Sequence, residues 1–529
     1  MKKYDDLVKN LKNDEYILLK SKDDLTFEHN KNTPLYKLTG FSGTAGEAII
    51  DNKSKITLFV DPRYHIQADN ETKDKYIDVI KLDMQTSAVQ AFKTFLENKK
   101  VLYIPSKSTR LSYFNILQKA LSFIKIIPYD TEDEMENLAN IEEISLEISG
   151  MPYSKKIEKL KNKIKGQNLF VSSLEDVSYI LNLRSFDIKN TSVIKAKLLI
   201  LENKTILFSN DKIPVLKGIE KQPFNKMKTV LSKIETPVLI DENTISLNDY
   251  NLIKNPKKLR TNHIAKMASI KNSAEIEHYK NAFKKLDDAL FAFQKRIKPG
   301  LSELALKEIF EEELIKKGAK STSFKTILAI GENSSSIHYS SYSKDKTLKE
   351  GDIILLDCGG YYEGGYATDI TRVFFCPLKP NKSVPEKIKE IYTAVLKAQL
   401  NCFFADLNQT MELDFLARKI LKKYEKEGFT FPHSLGHGVG IPVHQAPPTL
   451  TLNPKYNIKL KNNMIFTIEP GLYKEGEFGV RLENTVYFHN NKKITLSKFP
   501  YEENLVNYDM LTKKEQKWLK IWQEGKMND

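Results

Sequence analysis

The sequence predicts a mixed α/β (α+β) protein: two related N-terminal α/β domains, then a C-terminal domain with internal pseudo-twofold symmetry. Three observations predict it. At 529 residues the chain is too long for one ordinary core. A strand-turn-strand phrase at 48–61 (AIIDNKSKITLFVD) returns at 198–211 (LLILENKTILFSND). Further along, an acid-x-Gly-x-Tyr-x-Glu-Gly phrase at 357–364 recurs 112 residues later at 469–476.

The first domain is expected over 1–150, where helix-like and strand-like segments alternate. Its repeated phrase should turn at Asp51-Asn52-Lys53, and the copy in a second domain, 151–261, at Glu202-Asn203-Lys204. Near 262 the texture changes and a third domain, 262–529, begins. A helix is expected from about Ser273, with an N-cap in Ser-Ala-Glu-Ile, to a stop at Pro299-Gly300. A second helix follows over 301–318, and then strands within 324–331, 351–360 and 368–375. Helical stretches at 384–404 and 413–428 precede a strand near 464–471, so each half of this domain contributes helices and a strand pair. The terminal LTKKEQKWLKIWQ, opened by a Thr512-x-x-Glu515 capping box, reads as an amphipathic helix docked by Trp518, Leu519 and Trp522.

Composition narrows the function classes. Apolar residues make up 41% of the chain, enough for globular folding. The net charge of +14 comes from lysines scattered throughout, without a basic arm or aromatic-interleaved patch, which argues against a nucleic-acid partner. Cys358, Cys376 and Cys402 show no C-x-x-C spacing and fit a reducing compartment. The N-terminal MKKYDDLVKNLKNDEY is charged throughout, and nowhere do eighteen apolar residues run together. A soluble, cytoplasmic protein with no membrane partner is expected.

The chemistry is written in the third domain. Asp357 and Glu469 open the two acidic phrases, and a second acid closes each: Asp369 at the head of DITRVFF and Glu483 inside GVRLENTVYF. A strand that ends on a carboxylate, turns and returns to another can set both acids on one sheet face. Taken singly, an acid at a strand end is a turn or cap residue; matched pairs point elsewhere. Two facing hairpins would crowd four negative charges at several kcal/mol each. Two divalent cations balance those charges and leave room for a bridging hydroxide. Between the phrases, HSLGHGVGIPVH places His433, His437 and His444 as H-x3-H-x6-H, with Gly436 and Gly438 stripping bulk from either side of His437. Oxygen-rich ligation with one histidine favours Mn²⁺, Co²⁺ or Fe²⁺ over a thiolate-type zinc site. Cys358, next to Asp357 on the same strand, should point to the opposite face and serve packing. His338 sits in the Ser-rich SSSIHYS. Arg481, two residues before Glu483, should share its face and either orient that carboxylate or bind a substrate carboxylate. A surface salt bridge is its plainer reading.

The segments DCGGYYEGGYATDITRVFF, HSLGHGVGIPVHQAPP, FTIEPG and GVRLEN resemble the signatures of the pita-bread dinuclear metallopeptidases, and within them of the aminopeptidase P (Xaa-Pro aminopeptidase) family. The likeness extends to LTGFSGTAGEAIID and LFVDPRYHIQADNE in the first domain, SLEDVSYILNLRSFDI in the second, and NYDMLTKKEQKWLKIW near the end. It implies creatinase-like N-terminal domains, a pita-bread catalytic domain, and a homodimer. Asp357, Asp369, His437, Glu469 and Glu483 become the metal ligands for two divalent ions, Mn²⁺ first, with Co²⁺, Fe²⁺ or Zn²⁺ as alternatives. His338, His433 and His444 fall on substrate-site histidines. Asp357 and Asp369 are one residue further apart than the family pattern expects. A slipped register would turn one acid away, whereas a bulge or longer turn at Gly364-Gly365 would absorb the residue.

The implied reaction is hydrolysis of the bond between any N-terminal residue and a penultimate proline, by a hydroxide bridging two metals. Glu469 would accept the water proton and pass it to the leaving nitrogen. His338 and His444 would hydrogen-bond the substrate or intermediate, at about 3 kcal/mol per well-placed donor. A pocket for the proline ring would lie beside His433. The nearest rival is a prolidase, which requires a free dipeptide carboxylate. A non-catalytic binding module and a creatinase-type amidine hydrolase are further alternatives, and the intact set of acids speaks against both.

Overall fold

In the computed structural model the described residues are 7–22, 33–72, 76–83, 86–130, 137–376 and 383–525, so Met1–Asp6 of the charged N-terminal phrase lie outside them. The chain divides into two compact units. One comprises 1–141, 153–181 and 194–263, and the other 142–152, 182–193 and 264–529.

The first unit holds two six-stranded sheets. In one, β1 (Glu15–Lys20), β2 (Gly46–Ile50), β3 (Ile56–Val60), β4 (Ile77–Lys81), β5 (Val101–Pro105) and β6 (Lys125–Tyr129) lie in the order β4-β3-β2-β1-β5-β6. In the other, β7 (Asn168–Val171), β8 (Lys197–Ile200), β9 (Thr205–Phe208), β10 (Ile219–Gln222), β11 (Val238–Ile240) and β12 (Pro256–Lys258) lie in the order β10-β9-β8-β7-β11-β12. Position by position the two orders coincide, with an antiparallel hairpin beside the first strand and parallel pairs beyond it. The repeated phrase is that hairpin. Asp51 makes its first turn, the carboxylate Oδ1 accepting from the backbone N–H groups of Lys53 and Lys55 at 2.8 and 2.9 Å. In the second copy Leu201 N–H donates to Lys204 O at 2.8 Å. Phe59, Phe92 and Leu102 join Phe170, Leu199 and Ile240 in one apolar cluster, so the two sheets share a core.

The second unit follows the predicted twofold plan. Helices Ser273–Gln294 and Glu303–Lys316 precede a sheet in which β14 (Ile353–Cys358) lies between β13 (Ile327–Ile330) and β15 (Ile370–Phe375). Helices Glu386–Phe404 and Thr410–Leu421 precede a five-stranded sheet built from β16 (Gly436–Gly438), β17 (Gln445–Leu450), β18 (Ile465–Ile468), β21 (Asn484–His489) and β22 (Lys492–Thr495), in the order β17-β16-β18-β21-β22. A ribbon of β19 (Gly471–Lys474) and β20 (Phe478–Arg481) branches from it.

The first helix is capped by Asn272, not within Ser-Ala-Glu-Ile: Asn272 Oδ1 accepts from Glu275 N–H at 3.0 Å, and Glu275 answers in a full capping box. It ends at Gln294, ahead of Pro299-Gly300. At the other end the Thr512/Glu515 capping box forms, and the helix Lys513–Gln523 buries Leu519 and Trp522 while Trp518 stacks on Phe404. All three cysteines are buried and unbridged. Among the described residues no helix is long and apolar enough to cross a membrane.

Candidate metal centre

Strand alternation and register place the acids. Asp357 pairs with Thr371 across β14 and β15, so Asp369, two residues before Thr371, shares the face of Asp357 while the buried Cys358 takes the other. A turn at 362–365 lies within the connection between the two acids. Gly365 N–H donates to Tyr362 O at 2.8 Å, and Gly365 takes φ +63°, a region closed to most side chains. In the second half Ile468 pairs with Asn484, so Glu469 and Glu483 leave β18 and enter β21 side by side.

The halves are stitched where the acids meet. Glu483 N–H donates to Thr371 O at 3.1 Å, Thr371 Oγ1 donates to Glu483 Oε2 at 2.8 Å, and Thr485 Oγ1 donates to Asp369 O at 2.7 Å. His437 enters from the short strand β16. A Cβ at Gly436 or Gly438 would lie 2.1 Å from Thr467 O or 2.2 Å from Gln445 O, so only glycines let β16 run this close to its neighbours. His437 N–H donates to Thr467 Oγ1 at 3.1 Å, and that hydroxyl donates to Glu469 Oε1 at 3.2 Å.

The resulting cluster is tight. One potential ligand atom from each of Asp369, His437 and Glu483 lies within 4.8 Å of the others. His437 Nε2 is 3.5 Å from Asp369 Oδ2 and 3.4 Å from Glu469 Oε1. His437 Nδ1 lies 3.0 Å from Gly438 O, an acceptor only, so the proton sits on Nδ1 and Nε2 presents a lone pair. Burial lowers the pKa of this imidazole, favouring that neutral form. A lone pair facing carboxylate oxygens at that range is repulsive unless a metal cation, or in its absence a carboxyl proton, lies between them.

The electrostatics agree. Burial, then the neighbouring carboxylates, push Asp369 and Glu469 well above the usual carboxylate range, against a lowering by Arg481. The same causes lift Glu483 to about 8, against Thr371 and Arg481. Asp357 Oδ1 is buried without a hydrogen-bond partner. One guanidinium does not balance four acids, and this donor set of four carboxylates and one neutral imidazole fits two hard divalent ions.

Arg481 is 2% exposed and lies against Asp357, not Glu483. It donates to Asp357 Oδ2 at 2.6 Å, Tyr473 Oη at 2.7 Å, Thr371 Oγ1 at 3.2 Å and Ile337 O at 3.4 Å. His433 Nδ1 donates to Ser434 O, leaving Nε2 to accept from the Tyr473 hydroxyl at 2.9 Å. Its Nδ1 lies 3.8 Å from Glu469 Oε2. The His444 ring is exposed, its centre 4.3 Å from that of His437. His338 is half-buried and follows Ile337, whose carbonyl Arg481 engages. Sequence reasoning missed Tyr473 and Thr371. For Tyr473 the signal was present, because a tyrosine recurs at the same place in both acidic phrases.

The comparisons agree with this architecture. Residues 277–490 match metallopeptidase family M24, and residues 29–138 and 133–275 each match a creatinase/prolidase N-terminal domain. Xaa-Pro aminopeptidase 1 of Dictyostelium discoideum is 27% identical over 90% of this chain and 84% of its own length. The Xaa-Pro dipeptidase of Pyrococcus furiosus is 34% identical over 54% of this chain and 80% of its own. The crystal structure of an X-prolyl aminopeptidase from Caenorhabditis elegans, described as a cytosolic enzyme with a di-nuclear active site, superposes with a TM-score of 0.83. It covers 96% of this chain and 90% of its own at 22% identity, a likeness of fold.

Proposed function

Because the chain belongs to metallopeptidase family M24 and carries two creatinase-type domains ahead of the peptidase domain, we infer that it is an Xaa-Pro aminopeptidase. It is a peptidase, and its bond is the one between an N-terminal residue and a penultimate proline. The observation that carries the metal part of this reading is the neutral His437 Nε2 set 3.4–3.5 Å from two carboxylates. What favours an aminopeptidase over a dipeptidase is length: the aminopeptidase relative aligns over 90% of the chain, and the dipeptidase over 54%.

On this reading Asp357, Asp369, His437, Glu469 and Glu483 hold two divalent ions. The chemistry that such ions would supply when bound is a water acidified toward hydroxide near neutral pH and a polarised scissile carbonyl. The chain's own residues do the rest. Glu469, whose side chain keeps 15% exposure, accepts the proton of the attacking water and delivers it to the prolyl nitrogen as the C–N bond breaks. Thr467 fixes its Oε1 in place. Asp357 is oriented by Arg481, and the Arg481–Tyr473–His433 chain sets the His433 ring beside the site. His338 and His444 supply hydrogen bonds to the peptide. Proline lacks an amide N–H and its ring holds φ near −65°, which defeats general aminopeptidases and calls for a shaped subsite. Mn²⁺ as the metal, a homodimer, a cytoplasmic location and boundaries near 150 and 261 belong to the same proposal.

Peptide length tests it. With added Mn²⁺ the protein is expected to cleave Arg-Pro-Pro, releasing arginine, as followed by chromatography of the products. Cleavage of Xaa-Pro dipeptides with Arg-Pro-Pro untouched would make it a prolidase.

A further inference from the structure

One loop joins two of the imidazoles at the cluster. It runs through Val439–His444, linking β16, which carries His437, to β17, which starts directly after His444. The carbonyls of such an irregular segment need donors, and these come from distant parts of the second unit. Tyr279 Oη donates to Val439 O at 3.3 Å, Ala367 N–H to Gly440 O at 2.7 Å, and Tyr361 Oη to Ile441 O at 2.7 Å. Just beyond His444, the Lys271 ammonium donates to Gln445 Oε1 at 3.2 Å and to Ala268 O at 2.5 Å. Tyr361 is 1% exposed and Lys271 2%. Burying an ammonium whose hydrogen-bond acceptors are both neutral is costly even with the Glu275 carboxylate nearby, and an apolar side chain would fill the same space more cheaply.

From these contacts we infer that Tyr361 and Lys271 are positioning residues, which hold the Val439–His444 loop so that His444 stands beside His437 over the reacting bond. The inference rests on the peptidase reading. It also gives the acidic phrases a second shared purpose. The tyrosine of the second copy, Tyr473, fixes His433 directly, and that of the first, Tyr361, fixes the loop bearing His444. The turn between the first pair of acids thereby does more than connect strands. Tyr361 and Ala367, which face each other across it, both grip the loop.

Tyr361→Phe removes one oxygen and leaves the packing, so it is the primary test, with Lys271→Met and Gln445→Met beside it. Each is expected to lower kcat on Arg-Pro-Pro about tenfold while KM stays within about threefold. Metal content should remain at the wild-type level. The double variant Tyr361→Phe/Lys271→Met should fall short of the product of the two single effects, because both residues hold one loop. In a crystal of Tyr361→Phe the ring centres of His437 and His444 should separate beyond the 4.3 Å seen here. Unchanged kcat with unchanged ring spacing, or fully multiplicative effects, would overturn the inference. Should Lys271→Met fail to fold, Tyr361→Phe and Gln445→Met still decide. If the unmodified protein cleaves no tripeptide, the functional reading fails by itself, and ring spacing in the variant crystal continues to test the clamp.

Discussion

Replacing Glu469 with glutamine is expected to lower kcat on Arg-Pro-Pro by about 10²- to 10⁴-fold, the range for loss of a general acid-base group. Glutamine keeps the volume and can still accept the hydrogen bond from Thr467 that now reaches Glu469 Oε1 at 3.2 Å. The backbone will not move, because Glu469 N–H is anchored to Leu435 O at 2.8 Å. What glutamine cannot do is take a proton from water. Fold should be preserved. In the metal-free protein, removing one of four mutually repelling acids should leave the melting temperature unchanged or higher. Steady-state kinetics and thermal unfolding on the same preparation check both halves, and a loss of less than about tenfold would remove Glu469 from its role as proton carrier.

Exhaustive chelation should take turnover to background, and added Mn²⁺ should restore it. The reason lies in charge. Without cations the site holds Asp357, Asp369, Glu469 and Glu483 against Arg481, and burial together with neighbouring charge raises the pKa of Glu483 to about 8. The sign of the pH dependence follows. A carboxyl whose folded pKa lies above its unfolded value near 4.5 binds more protons in the native state across that interval. The metal-free protein should therefore lose stability as pH rises from about 4.5 to about 8. Metal must displace those protons, so its binding should strengthen over the same window and release protons. Each site, with free metal at 100 times its Kd, would add about 2.7 kcal/mol to stability. Melting curves at pH 5.5 and 8, with and without Mn²⁺, read the effect: the metal-induced shift should be larger at the higher pH. Undiminished activity after complete chelation would contradict the metal reading.

Much of this architecture was legible in the sequence because it is local. Asp51 and its copy at Glu202-Asn203-Lys204 mark hairpins that any reader of turn residues finds, and the two sheets built around them prove to have the same strand order. The acidic phrases likewise announce strand ends, and the glycines around His437 announce a close approach. What escaped was long-range. Arg481 lies two residues from Glu483 in sequence, yet its guanidinium reaches across the unit to Asp357, a pairing no spacing rule encodes. Tyr473 and Thr371 were passed over because a tyrosine or threonine in a strand is ordinarily packing. Thr371 matters because its hydroxyl meets Glu483 from the other half of the domain, and Tyr473 because its hydroxyl accepts from Arg481 on the neighbouring strand of the β19–β20 ribbon. The helix starts at Ser273 as expected, but its N-cap lies one residue earlier: Ser and Asn are both good caps, and only the backbone geometry selects Asn272 over its neighbour.

On the reading developed above, the acids of two hairpins, with His437, enclose a pair of cations. A crystal grown with Mn²⁺ and recorded at the manganese absorption edge would test it most directly. Two anomalous peaks are expected, bounded by Asp357, Asp369, His437, Glu469 and Glu483; peaks elsewhere, or none, would exclude the paired-cation site.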